Sequence, residues 1–389
     1  MFDFNPLIQS ISPPPVPAVQ AWARSYDGSR GPLVDLSQAV PGYPAHPHML
    51  ELLSEKAGSA AYAGYGPIEG EAVLRQAYAD HVGKLYDASL GPANIHMTAG
   101  CNQAFVCAAM AVAGAGDAVL MTEPYYFNHE TTLGMLGIRS RFVACEASDG
   151  FLPRVEAIDE ALLPDVKALA LVSPNNPTGA VYPPDHLAAI ADLCRSRGIW
   201  LILDETYRDF LPVADRAPHG LFCRNGWQDF VISLYSFSKS FCIPGHRLGA
   251  ITAGPAVIAQ VTKIMDNLQI CAPRAAQAAV ADALPRLAPW REENRLEILR
   301  RADCLQATLA DLPDWQLASV GAYFAFVRHP YHDRTSAEIA RELASQAGIS
   351  CIPGGYFGPR QELYLRFAFA NADVEGIARL RERLQGFSL

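Results

Sequence analysis

A lysine that reacts with a carbonyl compound must be neutral, and Lys239 stands where a chain can arrange that. It follows the apolar run Phe230 to Tyr235, inside Ser233-Leu-Tyr-Ser-Phe-Ser-Lys-Ser-Phe-Cys-Ile-Pro-Gly-His-Arg-Leu-Gly249. An amine partly desolvated at a strand end favours the uncharged form that Schiff-base chemistry needs. Ser236 and Arg247 could hold a phosphate beside it. The same residues also suit a surface lysine in a serine-rich loop.

Further segments carry comparable potential. Ser173-Pro-Asn-Asn-Pro-Thr-Gly179 closes another apolar run, and its residue types equally describe a tight turn. Trp200-Leu-Ile-Leu-Asp-Glu-Thr-Tyr207 reads as a strand ending in a carboxylate, which either points into a ligand crevice or caps a helix. Thr98-Ala-Gly-Cys-Asn-Gln-Ala104 lies between a strand and an apolar helix, so its amides could cradle a phosphate, with Asn102 as a plain helix cap the competing view. Glu123-Pro-Tyr-Tyr-Phe-Asn-His129 is an aromatic row suited to a core or to a cofactor shelf. In Leu363-Tyr-Leu-Arg-Phe-Ala-Phe369, Arg366 interrupts an apolar strand, where burial is costly without a ligand.

Together these segments resemble the class I/II aminotransferases, the fold type I enzymes of pyridoxal 5'-phosphate (PLP), from about Leu36 to Phe387. The resemblance implies that Lys239 is the Schiff-base lysine and that Ser236, Arg247 and the cup Gly100-Cys101-Asn102 bind the phosphate. Cys101 departs from the small residue common there. It further implies that Asp204 partners the pyridine nitrogen with His129 behind it. Asn176 and Tyr207 would bind the phenolic oxygen, and Tyr126 would stack on the ring. Tyr65 would reach the neighbouring subunit's phosphate, which makes a homodimer. Arg366 would grip the substrate carboxylate together with Asn176 and a loop in which Ala39, within Ser37-Gln-Ala-Val-Pro41, replaces the usual glycine.

The implied reaction is a ping-pong transfer of an amino group from an L-amino acid to a 2-oxo acid, with Lys239 as anchor and base and with Asp204 and Tyr207 assisting. Related PLP enzymes catalyse C–S cleavage or decarboxylation with much the same residues. A ligand-sensing PLP-domain regulator would need a DNA-binding segment ahead of the sheet, and only a short proline-rich stretch precedes it. Relatives acting on dicarboxylates place a second arginine near the region matching Thr262 to Pro273, which has Lys263 and Asp266 but no arginine. A neutral or aromatic donor is expected.

Positioning these residues takes a particular scaffold. Seven apolar runs of strand length are expected at Asn94 to Thr98, Ala118 to Thr122, Ser140 to Ala144, Ala168 to Ser173, Trp200 to Asp204, Phe230 to Tyr235 and Leu248 to Thr252. Most are apolar throughout, as in a largely parallel sheet covered on both faces. Only 12 residues separate Tyr235 from Leu248, too few for a helical crossover, so that pair should be antiparallel. The expected fold is α/β, with a large domain built on a mixed, mostly parallel seven-stranded sheet between helices, plus a smaller α+β domain. Residues 47–280 form the large domain in this reading, and 1–46 with 281–389 form an arm and a small substrate-closing domain.

Helices are expected at Val19 to Ser25, Val257 to Leu268, Ala275 to Leu284, Trp290 to Leu312, Ser336 to Ala347 and Val374 to Leu384. Short strands are expected at Ala322 to Val327 and Glu362 to Ala368, and the proline-rich arm is expected to wrap a surface rather than form a core. Gly114-Ala-Gly116 precedes a strand, the wrong order for a dinucleotide fingerprint, and reads as a helix-ending turn.

With 389 residues, half of them hydrophobic, the chain can bury more than one core. A net charge of −9 argues against nucleic acid as a partner. Nine cysteines without a C-x-x-C pair, an N-terminus unlike a signal peptide and no apolar run of membrane-spanning length point to a cytoplasmic protein without a metal site or a membrane partner.

Overall fold

The computed structural model describes residues 2–212 and 217–389. After a short strand β1 (Val34–Asp35), seven strands form one sheet: β2 (Ile95–Thr98), β3 (Ala118–Glu123), β4 (Arg139–Ala144), β5 (Val166–Val172), β6 (Trp200–Asp204), β7 (Val231–Ser236) and β8 (Gly249–Ala253). Their spatial order is β2-β8-β7-β6-β5-β3-β4. Every one of the seven expected runs is present, Trp200 to Asp204 with the bounds expected and the others within a residue or two at their ends. Strands β3, β5, β6 and β7 run parallel, while β8 pairs antiparallel with both β7 and β2. The seven-stranded mixed sheet is therefore the expected one. Its central strands are buried on both faces, because helices pack on each side and remove the apolar side chains from water. Strand β4 departs from the apolar expectation. At the sheet edge it carries Arg139 and Arg141, both paired with Asp165, and such charges discourage further strand pairing.

The smaller sheet, order β12-β13-β10-β9, is antiparallel and contains β9 (Gln316–Gly321), β10 (Phe324–Arg328), β12 (Ile352–Pro353) and β13 (Tyr364–Phe367). Strand β9 was not expected, since its residues are half-buried and lack a strong apolar run. Ala322, expected to open a strand, has φ +45° and lies in the turn between β9 and β10. The arm also departs from a simple surface wrap. Its helix begins at Pro15, where proline suits the first turn, and buries Val19 completely, while β1 pairs in parallel with β11 (Ile349–Ser350). The turn at Gly114-Ala-Gly116 follows a helix ending at Val112, as read from the sequence.

One helix, Ala288–Ala310, spans both parts of the molecule. Near its start, Arg295 donates to the carbonyls of Leu211 and Pro212; further along, Arg301 donates to the carbonyl of Ala370. Among the described residues, no helix is long and apolar enough to cross a membrane.

Two loops meet where β8 begins. A Cβ placed on Gly249 would lie 2.7 Å from the backbone carbon of Gly100 and 2.9 Å from the amide nitrogen of Cys101. Neither backbone can yield without moving a strand end. Gly249→Ala should destabilise the protein by about 1–3 kcal/mol through overpacking, read as a lower midpoint in urea with an unchanged slope.

Candidate active site

Parallel strands deliver their following residues to one edge of the sheet. Beyond β2 lie Gly100 to Asn102, beyond β3 lies Tyr126, beyond β5 lies Asn176, Asp204 closes β6, and Ser236 closes β7 with Lys239 beyond it. Strand β8 runs the other way, so Arg247, just before it, arrives at the same edge. The result is a cavity of about 260 Å³ lined by Cys101, Asn102, Tyr126, Asn176, Asp204, Tyr207, Ser236, Lys239, Arg247 and Arg366, with Ala39 beside them.

Lys239 lies in a one-turn helix, Phe237–Ser240, and its Nζ donates to the carbonyl of Ala39 at 2.5 Å. Burial, then the nearby guanidiniums of Arg366 and Arg247, lower its pKa to about 8. The neutral amine that carbonyl chemistry requires is thereby far more available near neutral pH than on an ordinary lysine.

Asp204 is 4% exposed and faces His129 Nε2 at 3.3 Å. Its other oxygen accepts the Thr206 amide at 3.0 Å. Burial alone would raise this carboxyl, but the hydrogen bonds and charge of His129, together with Thr206, outweigh it and hold Asp204 below the ordinary range. His129 is fixed in turn by stacking on Phe105, with ring centroids 3.8 Å apart.

Arg366 comes from β13. Its Nη1 donates to Asn176 Oδ1 at 2.9 Å and its Nη2 to the Ser37 carbonyl at 2.5 Å, while Phe324 and Phe357 flank the guanidinium at 4.9 and 5.2 Å. Burial lowers its pKa to about 10. Because Asn176 spends its carbonyl oxygen on Arg366, its amide hydrogens are the end left to donate. The N-P-T-G turn and the binding loop are thus one object, since Asn175 Oδ1 closes the turn on Thr178 while Asn176 faces the cavity.

At the far end, Gly100 has φ +89° and caps the Cys101–Val112 helix. Asn102 is the second residue of that helix rather than its cap, so the capping alternative does not hold. A Cβ on Gly100 would come within 2.4 Å of Arg247 Nη2, so only glycine lets the guanidinium approach the helix N-terminus. Arg247 itself has φ +49°, a left-handed conformation retained at the site. Tyr207 packs edge-on to Phe324 at 4.9 Å, and burial holds its hydroxyl protonated, well above the ordinary tyrosine value. Tyr126 is likewise pushed up to about 12 by burial.

Tyr65 is 81% exposed and does not line this cavity. Lys263 and Asp266 are exposed on a helix away from it, and Arg274, one residue beyond the stretch read for a second arginine, is held by Glu71 and the Gly64 carbonyl. Residues that sequence reading missed also line the cavity: Val16, Gln38, Val40, Phe127, Thr206 and Ser238. Ser238 and Thr206 sit next to recognised residues and could have been found. Gln38 and Val40 flank Ala39 in the loop already read, whereas Val16 carries no local signal, because the distant arm brings it in.

These groups fit a phosphorylated pyridine aldehyde. Guanidinium, helix N-terminus and Ser236 suit a phosphate; Asp204 suits a protonated ring nitrogen; Tyr207 and Asn176 supply donors for a phenolate. The buried hydroxyl of Ser238, on the cavity wall, has no partner within the protein. Among the described residues there is no cluster able to hold a metal ion.

This sheet edge, with its buried amine, its ionised aspartate and its cationic ends, defines a PLP-dependent enzyme of fold type I. The chain belongs to the class I and II aminotransferases, whose family model matches residues 32–384. It is 31% identical over 354 residues to the aromatic aminotransferase ISS1 of Arabidopsis thaliana, covering 87% of this chain and 88% of the relative. It is 29% identical to the arginine–pyruvate transaminase AruH of Pseudomonas aeruginosa, covering 84% and 81%. A tetra-mutant aspartate aminotransferase from Thermus thermophilus complexed with tryptophan superposes with a TM-score of 0.90 at 25% identity, covering 99% of each chain. The protein is a PLP-dependent aminotransferase.

The lowered pKa of Lys239 has a consequence for stability. In the folded apoprotein the amine gives up its proton near pH 8, whereas an exposed lysine keeps it until about 10.5. Between those values the unfolded chain binds more protons, so this residue's contribution makes stability rise with pH across that window, and its burial costs most below it. Lys239→Met should therefore stabilise the apoprotein at pH 7 and remove that rise between about pH 8 and 10.5, as followed by urea unfolding.

Proposed function

We propose that this aminotransferase moves the amino group of a neutral or aromatic L-amino acid to a 2-oxo acid, with Lys239 as covalent anchor and proton carrier. The observation that carries the reading is the convergence of Lys239, Asp204, Asn176 and Arg366 on one cavity. When bound, PLP supplies an aldehyde carbon that takes up the amino group and a ring that spreads developing negative charge. Arg366 grips the α-carboxylate through its planar fork, and Asn176 braces that fork. Ser236, Arg247 and the Gly100-Cys101-Asn102 turn would hold the phosphate. Asp204, kept ionised with help from His129, would accept the hydrogen bond of the ring N–H. Tyr207 and Asn176 would donate to the phenolic oxygen, and Tyr126 would stack on the ring. The Lys239 amine, once free, takes the proton from the substrate α-carbon.

Support for the donor class comes from the cavity wall. Val16, Val40, Phe127 and Ala39 are apolar and Gln38 is neutral, and the cations that line it are Lys239, Arg247 and Arg366, each already assigned. No further cation among the lining residues remains for a distal carboxylate. The aromatic aminotransferase relative and the tryptophan-bound neighbour agree with such a donor. The alternative of a C–S lyase or decarboxylase has no specific observation in its favour.

A cytoplasmic homodimer completes the reading. Tyr65, exposed and outside the lining of its own cavity, would reach the phosphate of a partner subunit. The division proposed is a cofactor domain of 47–280 and a closing unit of 1–46 with 281–389.

The test is an absorbance spectrum with PLP and a panel of donors. A visible band that Lys239→Ala abolishes, bleached by phenylalanine or leucine and restored by a 2-oxo acid, is the expected result. A clear preference for aspartate would overturn the donor class, and a band that donors shift without reversal by a 2-oxo acid would favour a lyase. Asp204→Asn, which loses the charge and keeps the shape, should reduce turnover about 10²–10³-fold with intact folding by circular dichroism.

A further inference from the structure

We infer that Tyr235 and Asp209 are positioning residues for Lys239, acting through Ser240 from the side of the sheet away from the cavity. The inference rests on Lys239 being the reactive amine proposed above. Side chains alternate along a strand, so with Ser236 on the cavity wall its neighbour Tyr235 points to the other face. There its hydroxyl donates to Asp209 Oδ2 at 2.7 Å and lies 2.7 Å from Ser240 Oγ. A tyrosine has one hydroxyl proton, and the carboxylate takes it. Ser240 must then be the donor to Tyr235, which gives the chain a single direction, from Ser240 through Tyr235 to Asp209.

Tyr235 is 2% exposed and Ser240 3% exposed, so bulk water cannot stand in for a missing partner. The Arg208 guanidinium lies 4.1 Å from the centre of the Tyr235 ring, and Tyr78 stacks on that ring at 5.6 Å. Arg291 faces Asp209 at 3.5 Å. The tyrosine is thus held by rings and charges that have no part in the cavity.

Ser240 directly follows Lys239 and ends the helix Phe237–Ser240. Four residues are too few to hold helical geometry unaided, so that turn depends on outside contacts. Its last side chain is tied by the Tyr235 hydroxyl. Arg291 belongs to the Ala288–Ala310 helix, whose Arg301 holds the Ala370 carbonyl just beyond Arg366. One helix therefore touches the segment after the carboxylate-binding arginine and, through Asp209 and Tyr235, the turn that carries the amine. Misplacing a reacting group by about 1 Å can cost about 10²-fold in rate.

Tyr235→Phe tests this, because it keeps the ring, its stacking and its cation contact while removing the hydroxyl. Two readouts separate positioning from plain stability. In the apoprotein, the pH dependence of Lys239 carbamylation by cyanate, followed by peptide mass, should shift its midpoint upward by roughly one unit as the loosened amine reaches water. The groups facing Lys239, namely Arg366, Arg247, Cys101 and Cys242, are unchanged in the variant. In the PLP-loaded enzyme, turnover should fall about tenfold with KM within about twofold, and the isotope effect of an α-deuterated donor should grow. Ser240→Ala should reproduce both changes, and it stands in if the phenylalanine variant fails to fold. A lower melting temperature with an unmoved carbamylation midpoint and an unmoved isotope effect would overturn the inference. Loss of the Lys239-linked band in the unmodified enzyme would instead sink the proposed function, while the cofactor-free carbamylation experiment still decides whether the chain acts on Lys239.

Discussion

Cations dominate one small cavity, and much of the molecule is arranged around that imbalance. Lys239, Arg247 and Arg366 line it, with Asp204 the carboxylate among the lining residues. Asp204 is already engaged by His129 and Thr206. Burial disfavours an ammonium here, the neighbouring guanidiniums add to that, and the amine is the group that gives way most readily. The amine of Lys239 moves down to about 8, while the guanidinium of Arg366, also lowered, remains charged at about 10. The same field that disfavours the ammonium favours anionic ligands. Phosphate at one end and carboxylate at the other are what such a cavity would take.

Sheet topology brings the charges together. A wholly parallel sheet would carry the segment before β8 to the opposite edge, and Arg247 with it. The antiparallel β8, returning after the short Phe237–Ser240 turn, keeps amine and guanidinium on one edge. Close backbone approach follows, with Gly249 against Gly100 and Cys101, and Gly100 against Arg247. Arg366 belongs to a different sheet. The Ala288–Ala310 helix and the arm segment from Ser37 to Ala39 link that sheet to the large one, so Arg366 sits on a separate packing unit from the amine.

Relatives of this chain include aromatic, arginine–pyruvate and aspartate aminotransferases, although they share its family. The groups suited to the cofactor are thus compatible with many donors. Discrimination would then come from the remaining wall of the cavity, which includes Val16, Gln38, Ala39, Val40 and Phe127. Four of these lie in the arm or in the loop after β1, and for Val16 no local pattern signals contact with the sheet.

Local chemistry made much of the protein legible. The seven apolar runs declared the sheet because strands buried on both faces must be apolar throughout, and the short gap before Leu248 declared the antiparallel pair. Asp204, Asn176, Lys239 and Arg247 were readable because each closes such a run or stands within a few residues of its end. Strand β9, the start of β10 and the burial of Val19 were not, since half-buried strands and proline-rich arms take their structure from what they pack against. Nor did any spacing announce that Asn176 would brace Arg366, or that His129 would stack on Phe105. Sequence alone determined which residue types stand at the strand ends, because period and turn chemistry act between near neighbours. Tertiary structure alone decided how charged they are and what they touch, because desolvation and pairing depend on residues up to hundreds of positions away.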